Sequence, residues 1–183
     1  MRGEGTSSDA LPLTFHSSLL TPALRELLTA GVLCNGATLK QENGAWQVIG
    51  DPTEGALLVL AMKADIAATA RQQRVIFELP FDSTRKTMSV VVAADVDGGG
   101  GGGNRLGGML VYTKGAPEIV LAKCVAERRG DRIVPLTEER RRWWATANTR
   151  LANQALRVLA LAERSWADER LPQPDEVECD LVL

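Results

Sequence analysis

One histidine, His16, and three scattered cysteines, Cys34, Cys124 and Cys179, are the only imidazole and thiol side chains in this 183-residue sequence. With a single imidazole and thiols this far apart, no Cys/His metal set, Ser/His/Asp triad or Cys/His pair can be assembled. His16 reads as a surface residue near a loose terminus. The odd, dispersed cysteines argue against a disulfide framework and for a reducing compartment, and they read as small core residues. A dominant charge of one sign is missing too: 21 basic residues stand against 23 acidic ones, a net charge of −2. Such a balance gives no field to attract nucleic acid or an anionic membrane. Long apolar runs are absent, since none reaches the roughly 18 residues of a spanning helix. The start, Met1-Arg2-Gly3-Glu4-Gly5, lacks the apolar block of a signal peptide. The two commonest nucleotide signatures, Gly-x-x-x-x-Gly-Lys-Ser/Thr and a Gly-x-Gly-x-x-Gly between strand and helix, do not occur.

What is present is an ordinary globular composition, 45% hydrophobic and 24% charged, in a chain long enough to bury roughly 70% of its unfolded surface as one domain. Thr21-Pro22 supplies an N-cap and a first-turn proline, and Leu24, Leu27, Leu28 and Val32 follow at helical spacing, predicting a helix to Leu33. Residues 45–49, between Asn43-Gly44 and Gly50-Asp51, read as a short strand. Asp51 then caps a helix with Pro52 in its first turn and Glu54 placed for a capping box; its nearly unbroken apolar run to Met62 predicts burial against a sheet.

Residues 75–80 and 87–93 are rich in apolar and β-branched types and predict two strands joined by a polar stretch with Arg85 and Lys86. Six consecutive glycines, 98–103, with Gly107 and Gly108 behind them, lie between strands rather than between a strand and a helix. They read as a hairpin loop over 98–108, because a run of identical glycines has no defined shape to cradle phosphate. Residues 109–113 form the next strand, and Ala116-Pro117-Glu118 opens a short helix. A hairpin is expected around Arg129-Gly130-Asp131, followed by a long helix capped by Thr137. On that helix Arg140, Arg141 and Arg142 read as a solvated face beside a buried Trp143-Trp144 anchor, with a partner surface as the alternative. Residues 156–163 and 177–183 read as strands. The elements assemble as an α+β fold: an antiparallel twisted β-sheet of about six strands with helices packed on it.

Lys114-Gly115-Ala116-Pro117-Glu118 joins a lysine, a glycine and a helix start at one strand end, and Pro80-Phe81-Asp82-Ser83-Thr84-Arg85-Lys86 joins an aromatic ring and two cations at another. Together they suit a flat ring attached to a polyanion, because rings stack on aromatics and phosphates seek cations and free N–H groups. Each residue keeps a plainer alternative. Phe81 stacks on a purine or packs in the core. Lys86 and Lys114 offer point charges to phosphate, and Arg157 a fork, or all three serve solubility. Glu54 accepts from an exocyclic amino group or only caps its helix.

The motifs Cys34-Asn35, Gly50-Asp51-Pro52-Thr53-Glu54-Gly55-Ala56-Leu57, Phe81-Asp82-Ser83 with Arg85-Lys86 and Met88-Ser89, Lys114-Gly115-Ala116-Pro117-Glu118, and Leu156-Arg157-Val158-Leu159-Ala160 resemble, in this order, the nucleotide-binding (N) domain of type II P-type cation-transporting ATPases. The resemblance implies an ATP site in which Phe81 stacks on adenine and Glu54 meets its edge. Lys86, Lys114, Gly115 and Ala116 would line the pocket, Arg157 would reach the phosphates, and Leu159 would pack beside the base or ribose. Thr53 is a weaker candidate. It further implies that residues 19–183 form the domain, 1–18 a flexible linker, and 177–183 a return to a phosphorylation domain. The implied cofactor is ATP, as Mg-ATP in an intact pump. The implied partners are phosphorylation and actuator domains of the same longer chain, in a cytoplasmic, monomeric unit without direct membrane contact. The phosphorylation motif Asp-Lys-Thr-Gly-Thr is absent, so the piece itself is expected not to be catalytic. Ser83 stands where some calcium-pump relatives carry arginine. The competing reading is a stand-alone nucleotide-sensing or protein-interaction α+β domain without a transport role.

Overall fold

The computed structural model describes residues 20–93, 108–168 and 170–183. The expected linker over 1–18, His16 and the glycines of 98–107 lie outside the described residues. In chain order the elements are α1 (Pro22–Leu33), β1 (Thr38–Glu42), β2 (Ala45–Ile49), α2 (Pro52–Lys63), α3 (Ala67–Arg71), β3 (Val75–Asp82), β4 (Thr87–Ala93), β5 (Met109–Gly115), α4 (Pro117–Lys123), β6 (Cys124–Arg129), β7 (Arg132–Pro135), α5 (Glu138–Ala152), β8 (Ala160–Trp166), α6 (Pro174–Val177) and β9 (Leu181–Val182).

The helix starts follow local chemistry. Thr21 Oγ1 accepts from Leu24 N at 3.2 Å, and Asp51 Oδ1 accepts from Thr53 N and Glu54 N at 2.7 and 3.2 Å, so side chains satisfy N–H groups that a helix start leaves free. The Asn43-Gly44 turn, with φ of 52° and 77°, is of the kind that matches strand twist in a two-residue hairpin. It pairs β2 with β1, a strand that Lys40-Gln41-Glu42 had hidden, since an exposed polar segment carries no period-two signal.

The main sheet has seven strands in the order β3-β4-β5-β8-β9-β6-β7. The fold is α+β as expected, with an antiparallel sheet of about six strands anticipated; the short β9 enters between β8 and β6 and runs parallel to β6, which makes the sheet mixed. Two expected strands are also shorter. Residues 156–159 lie outside β8, because α5 runs to Ala152 and ends in a turn where Ala155 takes φ 58°. The stretch 177–183 divides into the end of α6 and β9, with Asp180 at φ 52° between them.

The central strands β4 and β5 are buried on both faces, so they read as continuous apolar runs. One face sets Met88, Val90, Val92, Leu110 and Tyr112 against Ala30 of α1 and Cys34 at its C-cap. The other carries Val91 and Val111 against Val177 of α6. Leu28 and Val32 of α1 pack with Leu58 and Ala61 of α2, which fixes the start of α2 beside the sheet.

The arginine and tryptophan stretch of α5 departs from expectation. No residue of α5 is fully buried, and Trp143 is 52% exposed. Arg140 is no solvated cation: it lies over the Trp143 ring at 4.4 Å and donates from Nε and Nη2 to Glu127 at 2.8 and 3.0 Å. Arg141 donates to the carbonyls of Leu121 and Cys124. The buried anchor is thus the carboxylate of Glu127, 1% exposed, which takes Trp144 Nε1–H as well. Burial alone pushes the Glu127 carboxyl up, but hydrogen bonds from Arg140, Trp144 and Arg129 outweigh it and bring its pKa down to about 2.

Candidate functional site

Cross-strand register brings the candidate residues to one end of the sheet. Met88 pairs with Lys114 and Lys114 with Leu161. Leu79 pairs with Ser89 and Asp82 with Thr87, so Pro80 and Phe81 both oppose Met88. This bulge in edge strand β3 interrupts the alternation at Phe81, the usual way in which a strand re-aims a side chain. Phe81 is 59% exposed. Core packing does not explain it.

The next row toward the sheet end is Asp82, Thr87, Gly115 and Ala160. There the strand end meets the polar turn. Lys86, at φ 56°, accepts from Ala116 N through its backbone carbonyl at 3.1 Å, while its side chain is exposed. A Cβ on Gly115 would fall 2.4 Å from that carbonyl and 2.6 Å from Thr87 Cγ2. Gly115 is therefore bare so that the 86–87 backbone can approach, rather than only to admit a ligand.

Lys114 is 4% exposed and donates from Nζ to Glu54 Oε1 at 2.6 Å. Glu54 Oε2 accepts from Gly36 N at 2.9 Å. The capping box expected of Glu54 does not form, because its carboxylate points across to β5 and the 34–37 segment; Asp51 alone caps α2. Glu54 is thus held beside the sheet end as an acceptor, and Lys114 is held as its counter-ion. A buried ammonium requires such a partner.

Arg157 is exposed, in the 156–159 segment between α5 and β8. Its charge is among the influences, after hydrogen bonds from Thr53 and Glu54, that lower the Asp51 carboxyl pKa, which puts Arg157 on the side where α2 begins. Leu159 immediately precedes β8 and is half-buried. It lines an apolar cavity of about 640 Å³ with Leu27, Tyr112, Trp144, Leu151 and Leu161. Phe81, Lys86, Lys114 and Glu54 do not line that cavity. The structure therefore joins Glu54 with Lys114 directly, joins Lys86 with Gly115 and Ala116 through backbone, and sets Phe81 on the Lys114 row. Arg157 and Leu159 stand at the margin.

Three residues, Asn35, Gly36 and Glu178, were given no role in the reading of the sequence. Asn35 and Gly36 tie Glu54 in place; the only sequence signal was the Cys34-Asn35 dipeptide itself. Behind the site, on the other face of β4, Glu178 accepts from Thr87, Ser89 and Lys123. Burial opposes its charge, yet these bonds hold its carboxyl below the usual range. Among the described residues no cluster of His, Cys, Asp and Glu fits a metal ion, and no helix is long and apolar enough to cross a membrane.

Residues 23–183 match the family model described as P-type ATPase, cytoplasmic domain N. A calcium-transporting ATPase of Bacillus subtilis is 32% identical over 162 residues, covering 87% of this chain and 17% of that protein. Calcium-transporting ATPase 1 of Saccharomyces cerevisiae is 30% identical over 166 residues, covering 90% of this chain and 16% of its own length. Human calcium-transporting ATPase type 2C member 2 is 32% identical over 137 residues, covering 75% and 13%. The chain thus spans less than a fifth of the length of each of these relatives.

Proposed function

This chain belongs to the cytoplasmic N domains of P-type ATPases, and we propose that it binds ATP and presents the γ-phosphate to an aspartate of a phosphorylation domain in a longer cation-transporting chain. The observation that carries the reading is the bond from buried Lys114 to part-buried Glu54 beside an exposed Phe81 on the same strand row. An aromatic face, a fixed carboxylate acceptor and nearby exposed cations are a fitting donor set for adenine carrying a phosphate tail.

In this reading Phe81 stacks on the base and Glu54 accepts from its exocyclic amino group. Lys114, Gly115 and Ala116 form the floor. Lys86 and Arg157, both exposed, attract the phosphates, and Leu159 packs beside the base or ribose. The described residues offer no general base or nucleophile pair at this end, so the contribution of this domain is binding and orientation. Magnesium with the phosphates would supply charge neutralisation; Lys86 and Arg157 share that task here. Binding on the order of −4 to −6 kcal/mol, a millimolar to sub-millimolar site, suits a domain that must release its nucleotide after each transfer.

Titration of the chain with ATP, AMP, adenosine and GTP, followed by amide NMR shifts, tests this. Saturable shifts around Phe81 and Lys114 are expected with ATP. Their absence at millimolar ATP rules the reading out.

A further inference from the structure

The short segment between α1 and β1 makes two hydrogen bonds to one residue of the proposed site, Glu54. Asn35 Nδ2 donates to Gly31 O at 2.9 Å, the carbonyl one turn back in α1, and to the backbone carbonyl of Glu54 at 3.0 Å. Its Oδ1 accepts from Ala37 N at 2.9 Å, which closes a turn around Gly36. That turn points the Gly36 N–H at Glu54 Oε2, 2.9 Å away. One side chain therefore fixes the main chain of Glu54 and, through its neighbour, the carboxylate.

A carboxylate left to rotate in water has no preferred direction for its lone pairs. Here one oxygen is held by Gly36 N–H and the other by Lys114 Nζ, so the acceptor is pre-oriented before any ligand arrives. Ionised carboxylates accept and do not donate. At position 6 an adenine presents donor hydrogens to such a group, whereas a guanine presents an acceptor oxygen there and carries its N1–H and 2-amino donors only farther along the edge. A guanine held with O6 against this fixed carboxylate would set two acceptors face to face and leave O6 unpaired, which disfavours it relative to adenine.

We propose that Asn35 is a positioning residue for base selection: it holds Glu54 as a fixed acceptor, and the site thereby favours ATP over GTP. The inference rests on the ATP reading above and adds to it the residue that sets selectivity. Asn35 touches no ligand in this scheme, and it acts through Glu54 and Gly36.

The test measures ATP and GTP dissociation constants on the full chain for the wild type, Asn35→Ala and Asn35→Asp. Asn35→Asp has the same shape and keeps the acceptor for Ala37 N–H, so it serves where Asn35→Ala fails to fold. Both variants are expected to weaken ATP by about tenfold, the worth of the one hydrogen bond between the base and Glu54, and to leave GTP nearly unchanged. The Gly36 amide proton is expected to move upfield as its bond to the carboxylate loosens. Equal weakening of both nucleotides, as a merely structural role would give, overturns the proposal, and so does an unchanged ratio. A wild type that binds both nucleotides without preference overturns it alone and leaves ATP binding standing. A wild type that binds neither overturns the ATP reading and this proposal together.

Discussion

Lys114 Nζ lies 2.6 Å from Glu54 Oε1 with the lysine side chain only 5% exposed and the glutamate 18%. The two residues are 60 positions apart in sequence, and their meeting ties α2 to the end of β5. Removing one partner strands the other charge out of water, and that is far more costly than the pair's net worth. Glu54→Ala is therefore expected to lower stability by about 3 kcal/mol in urea unfolding. The double variant Glu54→Gln with Lys114→Met should lose clearly less than the two single changes added together, because both charges then leave the interior. Additive losses would show that the pair is not coupled.

Phe81 and Arg157 divide the proposed ligand between them, so their substitutions should have different signatures. Phe81→Ala is expected to weaken ATP and adenosine alike, by roughly 1 to 3 kcal/mol as for other stacked bases. Unfolding should hardly change, since the ring is 59% exposed. Arg157→Ala should weaken ATP far more than adenosine. Calorimetry with both ligands decides, and equal losses for Arg157→Ala would remove it from the phosphates.

Gly115→Ala puts a methyl 2.4 Å from the carbonyl oxygen of Lys86 and 2.6 Å from Thr87 Cγ2. One of these contacts is backbone, so the 83–86 turn must shift rather than a side chain rotate. A loss of about 1 to 3 kcal/mol is expected, with amide shifts concentrated at 85–88. A neutral substitution would mean that the turn yields freely.

The pH dependence has a definite sign at Glu127. Its carboxyl has a pKa of about 2, below the ordinary 4.5, so the folded form releases the proton more readily than the unfolded chain. The resulting stabilisation is fully present above about pH 4.5 and is lost as pH falls through about 2. Acid unfolding of Glu127→Gln should be correspondingly shallower over this interval than that of the wild type. Identical slopes would place the acid-sensitive contacts elsewhere, for instance at Glu176, whose pKa is also held at about 2 by Arg170 and Gln173 N–H.

Much of this fold was legible because its signals are local. Thr21-Pro22 and Asp51-Pro52 mark helix starts through hydrogen bonds that span two or three residues. The apolar runs of β4 and β5 are those of doubly covered strands. A strand was expected over 177–183, and β9 lies within it; its shortness and its place between β8 and β6, parallel to β6, were not legible, since a two-residue strand has no periodicity and its partners are distant in sequence. Arg142 is exposed as expected, but Arg140 and Arg141 were misjudged for a related reason: whether a cation is solvated depends on what faces it, and their acceptors, Glu127 and the Leu121 and Cys124 carbonyls, lie on other elements.

The candidate site divides along the same line. Residue types and their order, Phe81 with Lys86 and Lys114 with Gly115, were sufficient to suggest an aromatic surface beside cations, and the family followed from those motifs. Glu54 shows what sequence spacing alone leaves open: three residues past Asp51 it fits a capping box, yet its carboxylate bonds to Lys114 and Gly36 instead. By itself the sequence determined most of the helix and strand segments and which chemistry each strand end carries, because backbone hydrogen bonding and side-chain periodicity act over a few residues. Only the tertiary structure decided which of those groups meet. Burial of Lys114 forces it to find a carboxylate, and packing of α1 on α2 determines that the carboxylate is Glu54.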